Sequence, residues 1–358
     1  MTRRLRTSAW IRIFQRGMAA MTRQAVKTST RALAKTLMPT PARSPARSAG
    51  RRPAGSAARR KAPVVDHNWT LGVAVGASGA RRFRLYSPPD LRPGEHLPLL
   101  VMLHGCGQDA TSFAASTRMN RVAQRERFLV LYPEQDYLAN PQGCWNWFAT
   151  RSGRAYGEAE LIMTAVDQVC LQHQVDPERV AIAGLSAGAS MAALLVTRHP
   201  DRFRALVMHS GIAPGTAHST LTALGAMRGH RTTLPLVATA LTMEANWPPL
   251  LVIHGDADTL VAPRNGLAAV QVWARAAGAR ATAARNMQRG KRYPMAVTEF
   301  RRKGRAMATL VAIDGLAHAW SGGLPSKPFG DSLGPDASRM TWAFAARQFR
   351  SQPHDDPR

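Results

Sequence analysis

From about Trp69 onward, short hydrophobic runs alternate with amphipathic segments along the chain. Runs rich in apolar and β-branched residues predict eight strands, at residues 69–75, 81–86, 98–104, 128–132, 179–184, 204–209, 250–254 and 308–314. Segments with helical spacing of apolar residues predict five helices, at residues 112–126, 157–174, 187–199, 264–278 and 336–350. Two further stretches, 215–247 and the Arg-rich 279–307, are interpreted as irregular insertions.

The polarity of these strands indicates how they pair. The first two alternate apolar and polar residues, which is typical of antiparallel strands at the edge of a sheet. Later strands such as residues 99–103 are apolar throughout, as expected when both faces of a parallel sheet are covered. Alternation of strands and helices implies right-handed crossover connections. The pattern predicts an α/β fold with a mostly parallel central sheet covered by helices on both faces.

Composition divides the chain into a basic, largely disordered tail over residues 1–65 and a catalytic domain over residues 66–352. Of the net charge of +26 in 358 residues, the first 61 residues supply 16 Lys and Arg with no acid, which leaves +10 for the remainder. Residues 8–21 have the apolar spacing of a short basic amphipathic helix. Residues 39–63 are rich in Pro, Ala, Arg, Ser and Gly, which predicts a disordered linker.

Three roles suit this tail: a solvated extension, an anchor to an anionic surface or polymer granule, or nucleic-acid binding. The last is disfavoured because few aromatic residues interleave with the arginines. No apolar run approaches the ~18 residues that a membrane-spanning helix needs. No continuous apolar stretch follows Arg3 and Arg4, as a secretory signal requires. We therefore expect a cytoplasmic or granule-associated protein, with an extracellular one as the alternative.

The most informative motif is Gly-Leu-Ser-Ala-Gly at residues 184–188, between a predicted strand and a predicted helix. This context is that of a nucleophile elbow, a strained turn that lifts a serine hydroxyl above the sheet edge. A serine hydroxyl is a weak nucleophile at neutral pH and needs a base, which in turn needs an orienting acid. Ser186 is the predicted nucleophile, and the alternative is a serine that merely fits a tight turn.

The base and acid are expected later in the chain, in the order serine, acid, histidine. His318 follows the last predicted strand in a glycine-rich loop and is the predicted base. Asp256 and Asp258 both follow the strand at 250–254. Asp258 is preferred because it lies further into the loop, whereas Asp256 suits hydrogen bonding to loop amides. Three other histidines adjoin strand ends and are interpreted as structural: His104, His209 and His254.

Two backbone N–H donors complete the predicted site. Ala187 directly follows the nucleophile, and Cys106 lies in the glycine-containing loop after the strand at 98–104. Donors at these two positions form the oxyanion hole of a strand–turn–helix hydrolase site. A metal at His104 and Cys106 is disfavoured because no second ligand pair has suitable spacing. We expect no cofactor and no metal.

Three cysteines are too few for a disulfide framework. Cys106 and Cys144 both lie in loops beside the predicted site and could pair in an exported chain. Cys170 falls in an amphipathic helix and is interpreted as a small buried apolar residue.

Aromatic residues also cluster near the predicted site. Trp145 and Trp147 lie in the loop after the strand at 128–132, and Trp320 lies two residues after His318. They form either a plug in the core or an apolar substrate-binding surface, and both interpretations remain open.

Five motifs follow one another in order, at residues 104–108 (His-Gly-Cys-Gly-Gln), 132–135 (Tyr-Pro-Glu-Gln), 144–148 (Cys-Trp-Asn-Trp-Phe), 184–188 and 315–323 (Gly-Leu-Ala-His-Ala-Trp-Ser-Gly-Gly). Together they resemble the poly(3-hydroxybutyrate) depolymerase family of esterases over roughly residues 80–325. The resemblance implies an α/β-hydrolase fold and a serine esterase that works through an acyl-enzyme on Ser186, with Asp258 as acid and His318 as base. It implies Cys106 and Ala187 as the oxyanion hole.

The resemblance also implies a substrate class. Members of this family hydrolyse polyester or short-chain esters, relatives act on feruloyl or acetyl esters of polysaccharides, and many are secreted. A hypothesis of a different class is a non-catalytic binding protein that acts through its basic tail.

Overall fold

The structure, a computed structural model, describes residues 68–230 and 246–350. The predicted tail at residues 1–65, with its amphipathic helix and linker, lies outside the described residues, as does part of the stretch at 215–247. The division into tail and catalytic domain therefore stays a prediction. Within the described ranges, no helix is long and apolar enough to cross a membrane.

The main sheet contains β1 (Trp69–Gly76), β2 (Gly79–Tyr86), β3 (Leu97–Leu103), β4 (Leu129–Pro133), β5 (Val175–Leu185), β6 (Ala205–His209), β7 (Leu250–Gly255), β8 (Arg280–Ala281), β9 (Arg285–Met287), β10 (Met295–Arg302) and β11 (Arg305–Ile313). A separate short pair is formed by β12 (Trp320–Ser321) and β13 (Gly330–Asp331). The helices are α1 (Ala110–Thr117), α2 (Met119–Glu126), α3 (Arg154–Gln172), α4 (Ala187–Arg198), α5 (Thr220–Met227), α6 (Arg264–Ala276) and α7 (Ala337–Arg350), with a 3₁₀ turn at Pro200–Arg202.

The strand order in the main sheet is β1-β2-β4-β3-β5-β6-β7-β11-β10-β8, with β9 beside β10. The strands from β4 to β11 in this order run parallel to one another. At one edge β1 and β2 are antiparallel, and at the other β10 runs antiparallel to β11, β9 and β8. The predicted mostly parallel sheet with antiparallel first strands is confirmed.

Both faces of this sheet are covered, and β3 shows how. Leu99, Val101 and Leu103 are completely buried in a cluster with α3, α4 and α6. Leu100 and Met102 are completely buried in a second cluster with α1, α2 and α7. Each such side chain contributes roughly 2 kcal/mol relative to an exposed one. The uniformly apolar strands of the sequence are therefore explained by helices on both sides.

The prediction of an irregular insertion at 279–307 is wrong, because β10 and its neighbours extend the sheet there. Met295 and Val297 bury their side chains in the alternation of a strand with one covered face. A bulge between Phe300 and Arg301 then breaks the register with β11. The alternation is therefore short, and the exposed basic residues that surround it obscured the strand pattern.

One helix prediction and the prediction of a second irregular insertion also need correction. The predicted helix at 112–126 is two helices, because Arg118 has φ 56° and ψ 26°, a left-handed conformation that ends α1 and precedes α2. The described part of the stretch at 215–247 contains α5, which begins after Ser219; the Ser219 side chain accepts the Thr222 N–H as an N-cap. This eight-residue helix buries two alanines, so it carries little apolar periodicity in the sequence.

Candidate active site

Ser186 occupies a strained turn between β5 and α4, with φ 57° and ψ −119°. A positive φ at a non-glycine residue costs about 1–3 kcal/mol, and such strain concentrates at functional sites. The Ser186 N–H donates to the main-chain oxygen of His209 at 2.8 Å, which joins the turn to the end of β6. The residue is half-buried, and no hydrogen bond joins its hydroxyl to another residue of the described ranges. Within these ranges, the Ser186 hydroxyl is therefore not held by a hydrogen bond.

Glycines on both sides of the serine are required by close packing of backbone. A Cβ at Gly184 would overlap the main chain of Gly188. A Cβ at Gly188 would overlap the main-chain oxygens of Leu103 and His104. The elbow therefore lies directly against the end of β3, where the predicted oxyanion loop begins.

Asp258 and His318 meet as the sequence predicted, through a 2.8 Å contact between Asp258 Oδ2 and His318 Nδ1. The other carboxyl oxygen accepts the N–H groups of Leu260 and Val261 at 3.0 and 2.9 Å. Burial alone would raise the pKa of Asp258, but hydrogen bonds from His254 and His318 outweigh it and hold the pKa well below its usual range. Asp258 is therefore a buried anion that can orient the His318 ring.

Asp256 has a different role in the same loop. Its Oδ1 accepts the Gly315 N–H at 2.7 Å, and its own N–H donates to the Ile313 oxygen at 3.0 Å. It also lines a cavity of about 370 Å³ beside β10 and β11. The carboxylate that contacts His318 is that of Asp258, and Asp256 bonds loop amides, which is the alternative the sequence offered for it.

The two predicted oxyanion donors are both unused. Cys106 and Ala187 donate their main-chain N–H groups to no other residue in the part of the chain that the structure describes. Ala187 is the first residue of α4, so its N–H lies at the positive end of a helix. Both N–H groups are available to a developing negative charge.

A disulfide between Cys106 and Cys144 connects the loop at 104–108 to the loop at 134–147. The sequence left this pairing open. Cys170 is a free, half-buried thiol rather than a fully buried one, and burial raises its pKa to about 11. The covalent link attaches the oxyanion loop to a second, longer loop.

Hydrogen bonds through His104 reinforce that link. The Gln135 N–H donates to His104 Nε2 at 3.0 Å, and the Trp145 ring N–H donates to the His104 main-chain oxygen at 3.1 Å. Burial lowers the pKa of His104, which keeps its Nε2 free to accept. The interpretation of His104 as structural agrees with these contacts.

Glu158, which the sequence reasoning missed, anchors the longer loop to α3. Its buried carboxylate accepts the side-chain amide of Gln135 at 2.9 Å and both the main-chain and side-chain N–H of Asn146, at 2.9 and 2.5 Å. The signal that could have found it is an acidic residue on the otherwise apolar face of the predicted helix.

Of the two interpretations offered for the tryptophans, burial favours core residues over a substrate-binding surface. Trp145 and Trp320 are completely buried, and Trp147 is 7% exposed. Trp320 packs its ring against Phe113 and His209. The alternative interpretation as core residues describes them, because large aromatic side chains fill the space beneath the loops.

A second buried histidine lies beside the acid. His254 Nε2 is 2.8 Å from the Val261 oxygen and 3.4 Å from Asp258 Oδ2. Like His209, it lies at the carboxyl end of a parallel strand, where the sites of open α/β folds occur. Within the described ranges, no cluster of three or more potential metal ligands occurs.

The model of the esterase PHB depolymerase family matches residues 81–292, more than half of the chain. The chain belongs to this esterase family. The matched region includes Cys106, Ser186 and Asp258 and ends before His318.

Curated relatives share part of the chain. Poly(3-hydroxyalkanoate) depolymerase C of Paucimonas lemoignei is 33% identical over 175 residues, 47% of this chain and 42% of that protein. Acetylxylan esterase A of Emericella nidulans is 25% identical over 205 residues, 54% of this chain and 66% of that protein. The chain therefore spans about half the length of the curated relatives that it matches.

Among solved structures, an acetyl xylan esterase from Aspergillus awamori aligns with a TM-score of 0.56 at 20% identity. The alignment covers 72% of this chain and 95% of that one. At this identity the likeness concerns the fold alone, and it confirms the α/β-hydrolase fold of the family.

Proposed function

We propose that this protein is a serine esterase that hydrolyses carboxylic ester bonds through an acyl-enzyme on Ser186. The observation that carries the proposal is the 2.8 Å contact of the buried Asp258 carboxylate with His318 Nδ1. A carboxylate accepts hydrogen bonds, so Nδ1 carries the ring proton and Nε2 is left as the base. The strained turn at Ser186 and the membership of an esterase family support the same reaction.

In the proposed cycle, His318 Nε2 takes the Ser186 proton as the hydroxyl attacks the ester carbonyl. The oxyanion that forms is stabilised by the N–H groups of Cys106 and Ala187. His318 then gives its proton to the leaving alcohol, and the acyl group stays on Ser186. Water repeats the attack with the same base, which releases the acid and restores the serine. Apart from the substrate and this water, every step uses groups of this chain.

For the substrate we propose a polyester or short-chain ester related to 3-hydroxybutyrate oligomers, because the family model and the Paucimonas lemoignei depolymerase both match. Acetyl or feruloyl esters linked to polysaccharides form the second candidate, supported by the acetylxylan esterase and a feruloyl esterase B of Neurospora crassa at 28% identity. The hypothesis of a purely binding protein gives no account of the Asp258–His318 contact.

A panel of p-nitrophenyl esters, 3-hydroxybutyrate oligomers, acetylated xylan and methyl ferulate tests the proposal, with the Ser186→Ala variant as background. We expect hydrolysis of at least one ester class by the full chain and the largest kcat/KM on the hydroxybutyrate oligomers. Preference for acetylated xylan or ferulate would select the second candidate. Rates equal to those of Ser186→Ala on every ester would contradict the esterase proposal.

We also propose that the basic tail docks the enzyme on an anionic surface or polymer granule, since its charge and apolar spacing suit both. Deleting residues 1–65 should reduce retention on amorphous polymer or anionic vesicles and leave kcat on a soluble ester unchanged. Equal retention of both proteins would overturn this role.

A further inference from the structure

His209, at the end of β6, contacts both halves of the site although it belongs to neither. Its main-chain oxygen accepts the Ser186 N–H at 2.8 Å. Its side-chain Nε2 accepts the Ser321 N–H at 3.1 Å. Ser321 lies three residues after His318, in the two-residue strand β12 that follows the loop of His318. One buried residue thus holds the turn of the serine through its backbone and the loop of the histidine through its ring.

The hydrogen bonds determine where the ring proton lies. A main-chain N–H only donates, so Nε2 of His209 carries a lone pair and the proton is on Nδ1. Nδ1 is 3.2 Å from the Ser210 hydroxyl oxygen, which can accept it. Burial first, and then the neighbouring His254 and His318, lower the pKa of His209 to about 3. The ring therefore stays neutral and keeps its acceptor at the pH at which an esterase works.

Packing fixes the ring in place. It stacks on Trp320 with centroids 5.0 Å apart and planes at 27°. The Trp320 ring N–H donates to the Ser338 hydroxyl at 3.0 Å, and that hydroxyl donates to the Thr117 main-chain oxygen at 2.7 Å. The stack is thereby held by α7 and by the end of α1, so the His209 acceptor has a defined position.

The other end of the histidine loop is held independently. Asp256 accepts the Gly315 N–H, and Asp258 contacts His318 Nδ1. These contacts orient the imidazole relative to its acid, and neither of them involves Ser186 or the turn that carries it. In the described part of the chain, His209 is the one residue hydrogen-bonded both to Ser186 and to the loop that carries His318.

We propose that His209 is a positioning residue that sets the separation between the His318 imidazole and the Ser186 hydroxyl. The inference rests on the proposed esterase function, because this separation matters only if His318 takes the Ser186 proton. A misplacement of the base by about 1 Å costs on the order of 10²-fold in rate and need not affect ground-state binding.

The test compares His209→Gln with His209→Met in the full chain. Both side chains extend to the ε position without branching at Cβ or Cγ, and both lose the stack on Trp320. Glutamine differs in supplying an oxygen that can accept the Ser321 N–H. We expect His209→Met to lower kcat about 10- to 100-fold with KM changed by a factor of about two or less. We expect His209→Gln to recover most of that loss, although both variants unfold at a similarly reduced temperature.

Equal kcat values for the two variants, or a loss confined to KM, would overturn the positioning role. Ser186→Ala measured alongside distinguishes this failure from failure of the proposed function. If Ser186→Ala is inactive while the Gln and Met variants match, the positioning role alone fails. If Ser186→Ala keeps its activity, the proposed function fails.

A measurement on the unaltered protein covers the case in which both variants fail to fold. In ¹⁵N-histidine NMR spectra, we expect His209 to be neutral with its proton on Nδ1 at neutral and mildly acidic pH. A proton on Nε2 would exclude the acceptor that the inference requires.

Discussion

The oxyanion side and the acid–base side of the site are held in place by different means. On the oxyanion side, the loop at 104–108 is fastened to the loop at 134–147 by the Cys106–Cys144 disulfide and by hydrogen bonds through His104. On the acid–base side, hydrogen bonds of Asp256 and Asp258 join their loop to the loop of His318, and no disulfide links the described residues there.

This difference indicates how each side should respond to a perturbation. The proposed oxyanion donors are main-chain N–H groups, one in the loop at 104–108 and one at the start of α4, so a perturbation acts on their positions rather than on side-chain chemistry. The acid–base side depends on the charge of Asp258 and on the protonation of buried histidines. We therefore expect a reductant to act mainly on the oxyanion side. Substitutions that keep a side chain's shape but change its charge should act most strongly on the acid–base side.

The largest effect is expected from Asp258→Asn, which keeps the shape of the side chain and removes its charge. The N–H groups of Leu260 and Val261 hold the amide oxygen on their side, so the amide NH2 faces His318 Nδ1 and favours the ring proton on Nε2. With the wrong tautomer, kcat should fall about 10⁴-fold, the scale known for this change in other serine hydrolases. Asp256→Asn is the matched control, two residues away. Its amide oxygen can still accept the Gly315 N–H, so we expect a loss of a few-fold at most. Equal losses in the two variants would contradict the assignment of the acid.

An intermediate effect is expected from Cys144→Ser, which breaks the disulfide and leaves the Cys106 N–H in place. We expect kcat to fall about tenfold, less than the ~10²–10³-fold that follows removal of an oxyanion donor. The free energy of unfolding should fall by about 2–4 kcal/mol, since the bond closes a loop with a sequence separation of 38.

Cys170→Ser is the control for the disulfide, because that thiol is unpaired. A reductant should lower the activity of the wild type and of Cys170→Ser and leave that of Cys144→Ser unchanged. An unaltered kcat in Cys144→Ser would mean that the oxyanion loop holds its position without the covalent link.

The smallest effect is expected in the pH dependence of stability. Burial lowers the pKa of His209 to about 3 from an ordinary value of 6.5. The unfolded chain then binds more protons between these values, so the stability contributed is complete above pH 6.5 and is lost as the pH falls toward 3. The fall in unfolding temperature from about pH 7 to about pH 5 should be smaller in His209→Gln than in the wild type. His230→Gln, which replaces an exposed histidine, should keep the wild-type slope of unfolding temperature against pH. The same wild-type slope in His209→Gln would contradict a neutral buried ring at His209.

The sequence predicts the elements with strong periodicity and the residues that follow strand ends. Local chain order was enough to predict the strands that pair in parallel and the elbow at Ser186. It also led to the preference for Asp258 over Asp256. The strand β10 was missed because its bulge interrupts the alternation. Its arginines also resemble the composition of a loop.

Contacts between loops could not be predicted in the same way. The anchoring role of Glu158 depends on three donors contributed by a loop that is distant in sequence. The double contact of His209 depends on the turn at Ser186 and on the position of Ser321. The tryptophans were ambiguous because an aromatic loop residue has the same sequence signal whether it faces substrate or core, and only their burial in the structure favours the core.

The central claim is that Ser186 is an activated nucleophile, and covalent labelling with a fluorophosphonate probe tests it most directly. Trypsin should release the peptide 180–198, which contains both Ser186 and Ser190, so fragment masses must locate the adduct. We expect labelling on Ser186 in the wild type, much slower labelling in Asp258→Asn, and no labelling at this position in Ser186→Ala. Ester hydrolysis by a protein that carries no adduct on Ser186, or that stays active as Ser186→Ala, would contradict this claim.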